Sequence, residues 1–100
     1  MVAGVALAGL VAGTLGSSAL LWVAVHPDRR RRGIGRSLVR DALGELARGG
    51  ARLVVAELPG DALAAGMIAL LDDAGFEREG LVADFYRDGV GLILCRRSLR

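Results

Sequence analysis

The sequence predicts an α/β fold, a mixed central sheet with the element order β-β-α-β-α-β-β. Three observations carry this reading. Short apolar runs rich in Val, Leu and Ala alternate with two stretches of helical period. Over residues 19–58 a strand, a Gly- and Arg-rich turn, a helix and a second strand follow one another, which is a βαβ unit with parallel strands and a right-handed crossover. Near the end, Arg87-Asp88-Gly89 joins two further strand-like runs, a hairpin signal. A chain of 100 residues bounds the whole to a single domain, residues 1–100, with room for a modest core.

Each element has its own warrant. Residues 2–10 read as a first strand, and residues 11–18 as a hairpin-like connection, because Gly13, Gly16, Ser17 and Ser18 cluster there. Residues 19–25, Ala-Leu-Leu-Trp-Val-Ala-Val, form the second strand, and their continuous apolarity predicts burial on both faces. Pro27 ends it. Over residues 34–48, Ile34, Leu38, Val39, Ala42, Leu43, Leu46 and Ala47 recur on one side of a helix, with Arg36, Arg40, Glu45 and Arg48 largely on the other. Gly49-Gly50 supplies the stop. Residues 52–58 are the third strand. Pro59-Gly60-Asp61 then turns the chain, with Asp61 the candidate N-cap of a second helix. Leu63, Met67, Leu70, Leu71 and Ala74 make that helix's apolar stripe, and Gly75 ends it. Residues 76–86 are a connection and a strand, Asp88-Gly89 suits a primed turn, and residues 90–97 close the sheet with Leu92, Ile93, Leu94 and Cys95 inside.

Charge narrows the function. All 13 basic residues are arginine and the net charge is only +2. The positive field is local to residues 29–40, while acidic residues spread through the second half, a pattern that suits a small polyanionic ligand over a long nucleic acid. The lone Cys95 excludes an internal disulfide and a cysteine metal cluster, and it fits a reducing, cytoplasmic compartment. No metal-ligand spacing, Ser/His/Asp arrangement or phosphate-loop motif of the Walker type is present. Residues 1–25 carry no charged side chain, so a membrane span competes with the strand reading there. Gly4, Gly9, Gly13, Gly16, Ser17 and Ser18 break that run into pieces and favour two strands over a span.

The turn at residues 26–33 is the chemically marked segment. Glycine lets a backbone approach a phosphate closely, the following helix offers free N–H groups and the positive end of its dipole, and arginine adds fixed charge. The string Arg30-x-x-Gly33-x-Gly35, preceded by Val25-x-Pro27 and followed by Ser37-Leu38-Val39, resembles the acetyl-CoA signature of the GNAT family of N-acetyltransferases. The resemblance covers essentially the whole chain and corresponds to the C-terminal two-thirds of that fold. The family's first strand, its two short helices and its second strand have no counterpart here, which would follow from a truncated gene, a misplaced start codon, a minimal variant or a partner chain that completes the sheet.

The resemblance implies acetyl-CoA as co-substrate, no metal, and direct attack by a primary amine on the acetyl group. It implies that the backbone of Val23 and Val25 binds the pantetheine arm and the thioester carbonyl. The turn and first helical residues, Arg30, Arg31, Arg32, Gly33, Ile34, Gly35 and Arg36, would cradle the pyrophosphate. For the acid/base side, Glu57 at a strand end is the candidate base and Tyr86, in Asp84-Phe85-Tyr86-Arg87-Asp88-Gly89, the candidate acid. That string is similar to a hairpin which borders the acceptor in many family members. Leu71 stands where the family often carries a tyrosine, and Ala64 where it often carries an asparagine. The chain is therefore either a transferase with another proton donor or a catalytically inactive CoA-binding or structural remnant. His26, the only histidine, sits at a junction where the family tolerates many residues, and Cys95 reads as core. The expected partners are a small-molecule or peptide amine, with neither nucleic acid nor membrane, and a second copy of the chain paired along the exposed N-terminal strand.

Overall fold

Two apolar runs at the N-terminal end pair with each other. In the computed structural model, which describes residues 4–25, 33–61 and 65–99, β1 (Gly4–Leu10) and β2 (Ser17–Val25) form an antiparallel hairpin. The uncharged run is thus used as strands, and among the described residues no helix is long and apolar enough to cross a membrane. There follow α1 (Ile34–Arg48), β3 (Leu53–Pro59), α2 (Ala65–Asp73), β4 (Glu77–Arg87) and β5 (Val90–Ser98), the element order that the sequence predicts. The strands lie in the order β1-β2-β3-β5-β4. Only β2 and β3 run parallel, so the sheet is mixed.

Boundaries differ by one or two residues for local reasons. β2 starts at Ser17 rather than Ala19, because the Gly16 carbonyl already accepts the Arg52 N–H at 2.8 Å and opens the ladder there. β3 is displaced by one residue and ends on Pro59. The cap expected at Asp61 involves residues 62–64, which with Leu63 and Ala64 lie outside the described residues. The Asp61 carboxylate itself accepts from Arg87. Both helices stop as expected: Gly50 and Ala51 donate back to Ala47 and Leu46, and Gly75 and Phe76 donate back to Asp72 and Leu71.

The core lies on one face of the sheet. Val54, Ala56 and Leu58 alternate along β3 and meet Leu20, Cys95, Val39 and Leu43 of α1, Leu71 of α2, and Phe76. Ala47, expected on the buried side of α1, is exposed, because the helix runs past the sheet at its last turn. Burial pushes the Cys95 thiol up from its ordinary value, which fits a core role. Burial of β2 on both faces is not observed: Leu21 is 67% exposed. Both helices join the cluster on the Val54–Ala56–Leu58 side, so no described helix covers the other face, and Leu21 is also an extra residue in its ladder.

The last hairpin departs from the predicted primed turn. Such a turn needs positive φ at both central residues, yet Gly89 has φ +81 while Asp88 does not, and the left-handed non-glycine residue is Asp84, at φ 58. The twist is absorbed by a large bulge. Between the pairs Val82↔Leu92 and Arg87↔Val90, residues 83–86 face Gly91 alone. A Cβ on Gly91 would stand 2.8 Å from the Val82 carbonyl oxygen, so the bulge closes only over glycine.

Urea denaturation should separate these roles. Leu71→Ala, at 0% exposure, should cost about 2–5 kcal/mol. Gly91→Ala should cost about 1–3 kcal/mol through forced backbone displacement. Gly80→Ala, where a Cβ meets nothing within 4 Å, should be near neutral.

Candidate functional site

β2 and β3 stay together for only three residue pairs, Ser17↔Leu53, Ser18↔Val54 and Ala19↔Val55. Beyond them the strands part, and a fork opens toward the C-terminal ends of both. The peptide groups lining it follow from hydrogen bonding upstream. The Ser17 carbonyl accepts from Val11 N–H at 2.9 Å, on the β1 side, and the Gly16 carbonyl accepts from Arg52 N–H on the β3 side. Alternate residues of β2 therefore address opposite neighbours. Leu21 is then inserted, since Leu7 pairs with Trp22 and Ala8 with Leu20. One inserted residue reverses the alternation. Downstream of it, Trp22 and Ala24 address β1, and the backbone groups of Val23 and Val25 turn toward the fork.

The helix start closes the same end. Gly33 caps α1 in the left-handed region, φ 75 and ψ 7, and the first bond of the helix is Ser37 N–H to the Gly33 carbonyl at 3.0 Å. The amides of Ile34, Gly35 and Arg36 precede it and so have no carbonyl of their own helix to bond. No acidic residue occupies the first turn, and no side chain caps it. The open amides and the positive dipole end thus suit an anion. A Cβ on Gly33 would meet nothing within 4 Å, so this glycine is needed for its φ rather than for space. The Arg36 guanidinium is engaged elsewhere, 2.8 Å from Asp73, and pins α1 to the end of α2. Arg30, Arg31, Arg32 and His26 lie outside the described residues.

Glu57 is exposed on β3, on the face away from the core, opposite Leu94. Tyr86 sits in the bulge of edge strand β4, 45% exposed, with its ring 5.1 Å from that of Phe85 at 82°. Glu57 and Tyr86 share one end of the sheet with the fork, but β5 lies between their strands, and no described hydrogen bond joins them. The hairpin tip is tied to the turn after β3 by Gly60 N–H to the Gly91 carbonyl at 2.8 Å and by Arg87 to Asp61 at 3.3 Å. Sequence reasoning missed these ties and the Leu21 insertion. Asp84 carries a partial signal, since aspartate tolerates the left-handed region, whereas Leu21 carries none. A shallow cleft of about 250 Å³ lined by Gly75, Glu77, Arg96, Arg97 and Ser98 lies at the opposite end of the sheet, away from these groups.

Comparison with known proteins matches this geometry. The family model described as "Acetyltransferase (GNAT) domain" matches residues 1–87. The chain belongs to the GNAT acetyltransferase family. It is 34% identical to a Desulfovibrio desulfuricans protein described as a GNAT-family acetyltransferase, with a TM-score of 0.94 over 98% of this chain and 62% of that one. It is also similar to the ribosomal-protein-S18-alanine N-acetyltransferase of Escherichia coli, at 26% identity and a TM-score of 0.81 over 97% and 61% of the two chains. YncA of Salmonella typhimurium, solved with acetyl-CoA, shares the fold at 23% identity and a TM-score of 0.84, over 98% and 58%. The chain thus spans about three-fifths of the length of these GNAT structures. No curated protein matches it.

The Gly33 conformation is directly testable. Gly33→Ala should lower stability by about 1–2 kcal/mol in urea titrations, and Gly33→Asn by less, because asparagine visits the left-handed region.

Proposed function

We propose that this GNAT chain binds acetyl-CoA across the β2/β3 fork and catalyses acetyl transfer to a primary amine, with no metal. One observation carries the reading: two parallel strands that part after three pairs, with an acid-free helix N-terminus at the mouth of the opening. The residues present fit the ligand, since the fork offers strand peptide groups to an amide-bearing arm and the helix start offers amides to a pyrophosphate. Bound acetyl-CoA supplies the acetyl group as an activated thioester.

The chain's own groups do the rest. Backbone groups of Val23 and Val25 hold the arm, and an N–H there stabilises negative charge on the carbonyl oxygen as the amine attacks. Amides of Gly33, Ile34, Gly35 and Arg36 hold the pyrophosphate, together with Arg30, Arg31 and Arg32 just before them in the chain. Glu57 takes the proton that the amine gives up. Tyr86 returns a proton to the departing sulfur through water, since it stands strands away from the fork. A free Cys95 suits a reducing cytoplasm, and a second copy would pair along the outer edge of β1.

A second reading has its own support. Leu71, where the family often has tyrosine, is sealed in the core, and the chain covers about three-fifths of its relatives. On that reading the fold binds CoA without turnover.

Calorimetric titration with acetyl-CoA, with light scattering for the oligomeric state and thiol release as the assay, tests both. Saturable binding is expected, retained in Gly33→Asn and lost in Gly33→Glu, which sets a carboxylate against the phosphates. Glu57→Gln should lower kcat by about 100-fold and Tyr86→Phe by about 10-fold or more, with acetyl-CoA affinity unchanged. Binding without thiol release for any amine selects the second reading, and a folded protein that binds nothing rejects both.

A further inference from the structure

The bulge in β4 builds something that the fold does not need. Consecutive strand residues point to opposite faces, yet the Phe85 and Tyr86 rings stand 5.1 Å apart, edge to face. The left-handed Asp84 breaks the alternation and brings both rings to one side. Its conformation is held by Gly89 N–H, which donates to Asp84 Oδ1 at 2.8 Å, and the base of the bulge is held by the Asp61–Arg87 pair and the Gly60–Gly91 bond. Neither ring belongs to the core cluster, and Phe85 is 56% exposed. An aromatic pair on an anchored bulge is thus presented to solvent.

Charge says what it suits. Asp84 and Asp88, which flank the two aromatic residues in the chain, are exposed carboxylates, and Arg87 between them in the chain is already paired with Asp61. An aromatic face flanked by carboxylates attracts an ammonium group. The platform lies at the fork end of the sheet, on a strand two places from that of Glu57. Two strand spacings sideways and three residues along β5, from Leu94 opposite Glu57 to Gly91 opposite the bulge, put the two backbones about 14 Å apart, a gap that the two side chains narrow.

We propose that the acceptor is an extended amine with a second positive charge, whose distal ammonium rests on Phe85 beside Asp84 while the reacting amine lies near Glu57. The Tyr86 ring packs edge to face against that of Phe85. This rests on the acetyl-transfer reading above, and names the substrate class of that same site.

The test compares α,ω-diaminooctane with n-octylamine, which differ only in the distal charge, and with α,ω-diaminopropane, which is too short to reach. The kcat/KM for diaminooctane should exceed that for octylamine by about 10-fold, with little such gain for diaminopropane. Phe85→Leu removes the π face, and Asp84→Asn removes the charge but keeps the acceptor for Gly89 N–H. Each should cut the preference to about twofold and leave acetyl-CoA affinity unchanged. Equal kcat/KM for the two long amines, or a preference untouched by both variants, overturns the proposal. If thiol release is absent, the platform is read by NMR, titrating diaminooctane against the Phe85 ring signals. Saturable shifts weakened about fivefold in Asp84→Asn support it on its own, and no shift in the wild type overturns it. Acetyl-CoA calorimetry on the same samples reports separately on the functional reading.

Discussion

Every backbone N–H and C=O that leaves a ladder must find another partner. In this protein that requirement is concentrated on the inner edge of β2 after Ala19, where β3 departs. The exposed groups are a row of donors and acceptors in strand geometry, which an extended, amide-bearing ligand satisfies as a neighbouring strand would. The single insertion at Leu21 decides which groups those are. Without it, the peptide groups of Trp22 and Ala24 would face the opening in place of those of Val23 and Val25. On the proposed reading, the site depends on backbone placement more than on side-chain chemistry, so few distinctive side chains are needed to build it.

The fork stays open because its two arms are held independently. β2 is held by β1 through the whole hairpin, from Gly4↔Val25 to Leu10↔Ser18. β3 is held by β5 from Leu53↔Ser98 to Pro59↔Leu92. Helix α1 lies beneath with Val39 and Leu43 in the common core, so its first turn is fixed relative to both arms. The Arg36–Asp73 pair adds a link to α2, though with both side chains more than half exposed its worth is about 0–1 kcal/mol. Packing, rather than that ion pair, positions the helix start.

How much of this the sequence carried depends on whether a feature is local. Helix α1 was readable to the residue, since its apolar stripe, Gly33 before it and Gly49-Gly50 after it all agree. The element order and the parallel β2–β3 pair followed from the alternating pattern and the βαβ unit. The Leu21 bulge was not readable: a leucine inserted among Ala, Leu, Trp and Val leaves no trace in an apolar run. The primed turn expected at Asp88-Gly89 failed for a related reason. Gly89 keeps its positive φ, but Asp88 does not, and the second left-handed residue of the hairpin is Asp84, inside a bulge that closes over Gly91 and has no local sequence signal. The candidate site residues were named from the resemblance, and periodicity alone would have found only the glycines and the helix start.

The proposed donor and acceptor sides therefore stand on different footings. The described parts of the donor cradle, the fork and the first turn of α1, are assembled by ladders and core contacts within this chain. The acceptor side is looser. Glu57 projects from the sheet face that no described helix covers, and the aromatic bulge is anchored at its base while its rings stay half exposed. Half-exposed groups on a two-point tether move more readily than peptide groups fixed in a sheet. On the proposed acetyl-transfer reading, acetyl-CoA binding would then survive perturbations that abolish turnover. An acceptor long enough to touch both Glu57 and Phe85 would itself bring the two loosely related halves into register, so that part of its binding energy appears as positioning in the reaction rather than as affinity.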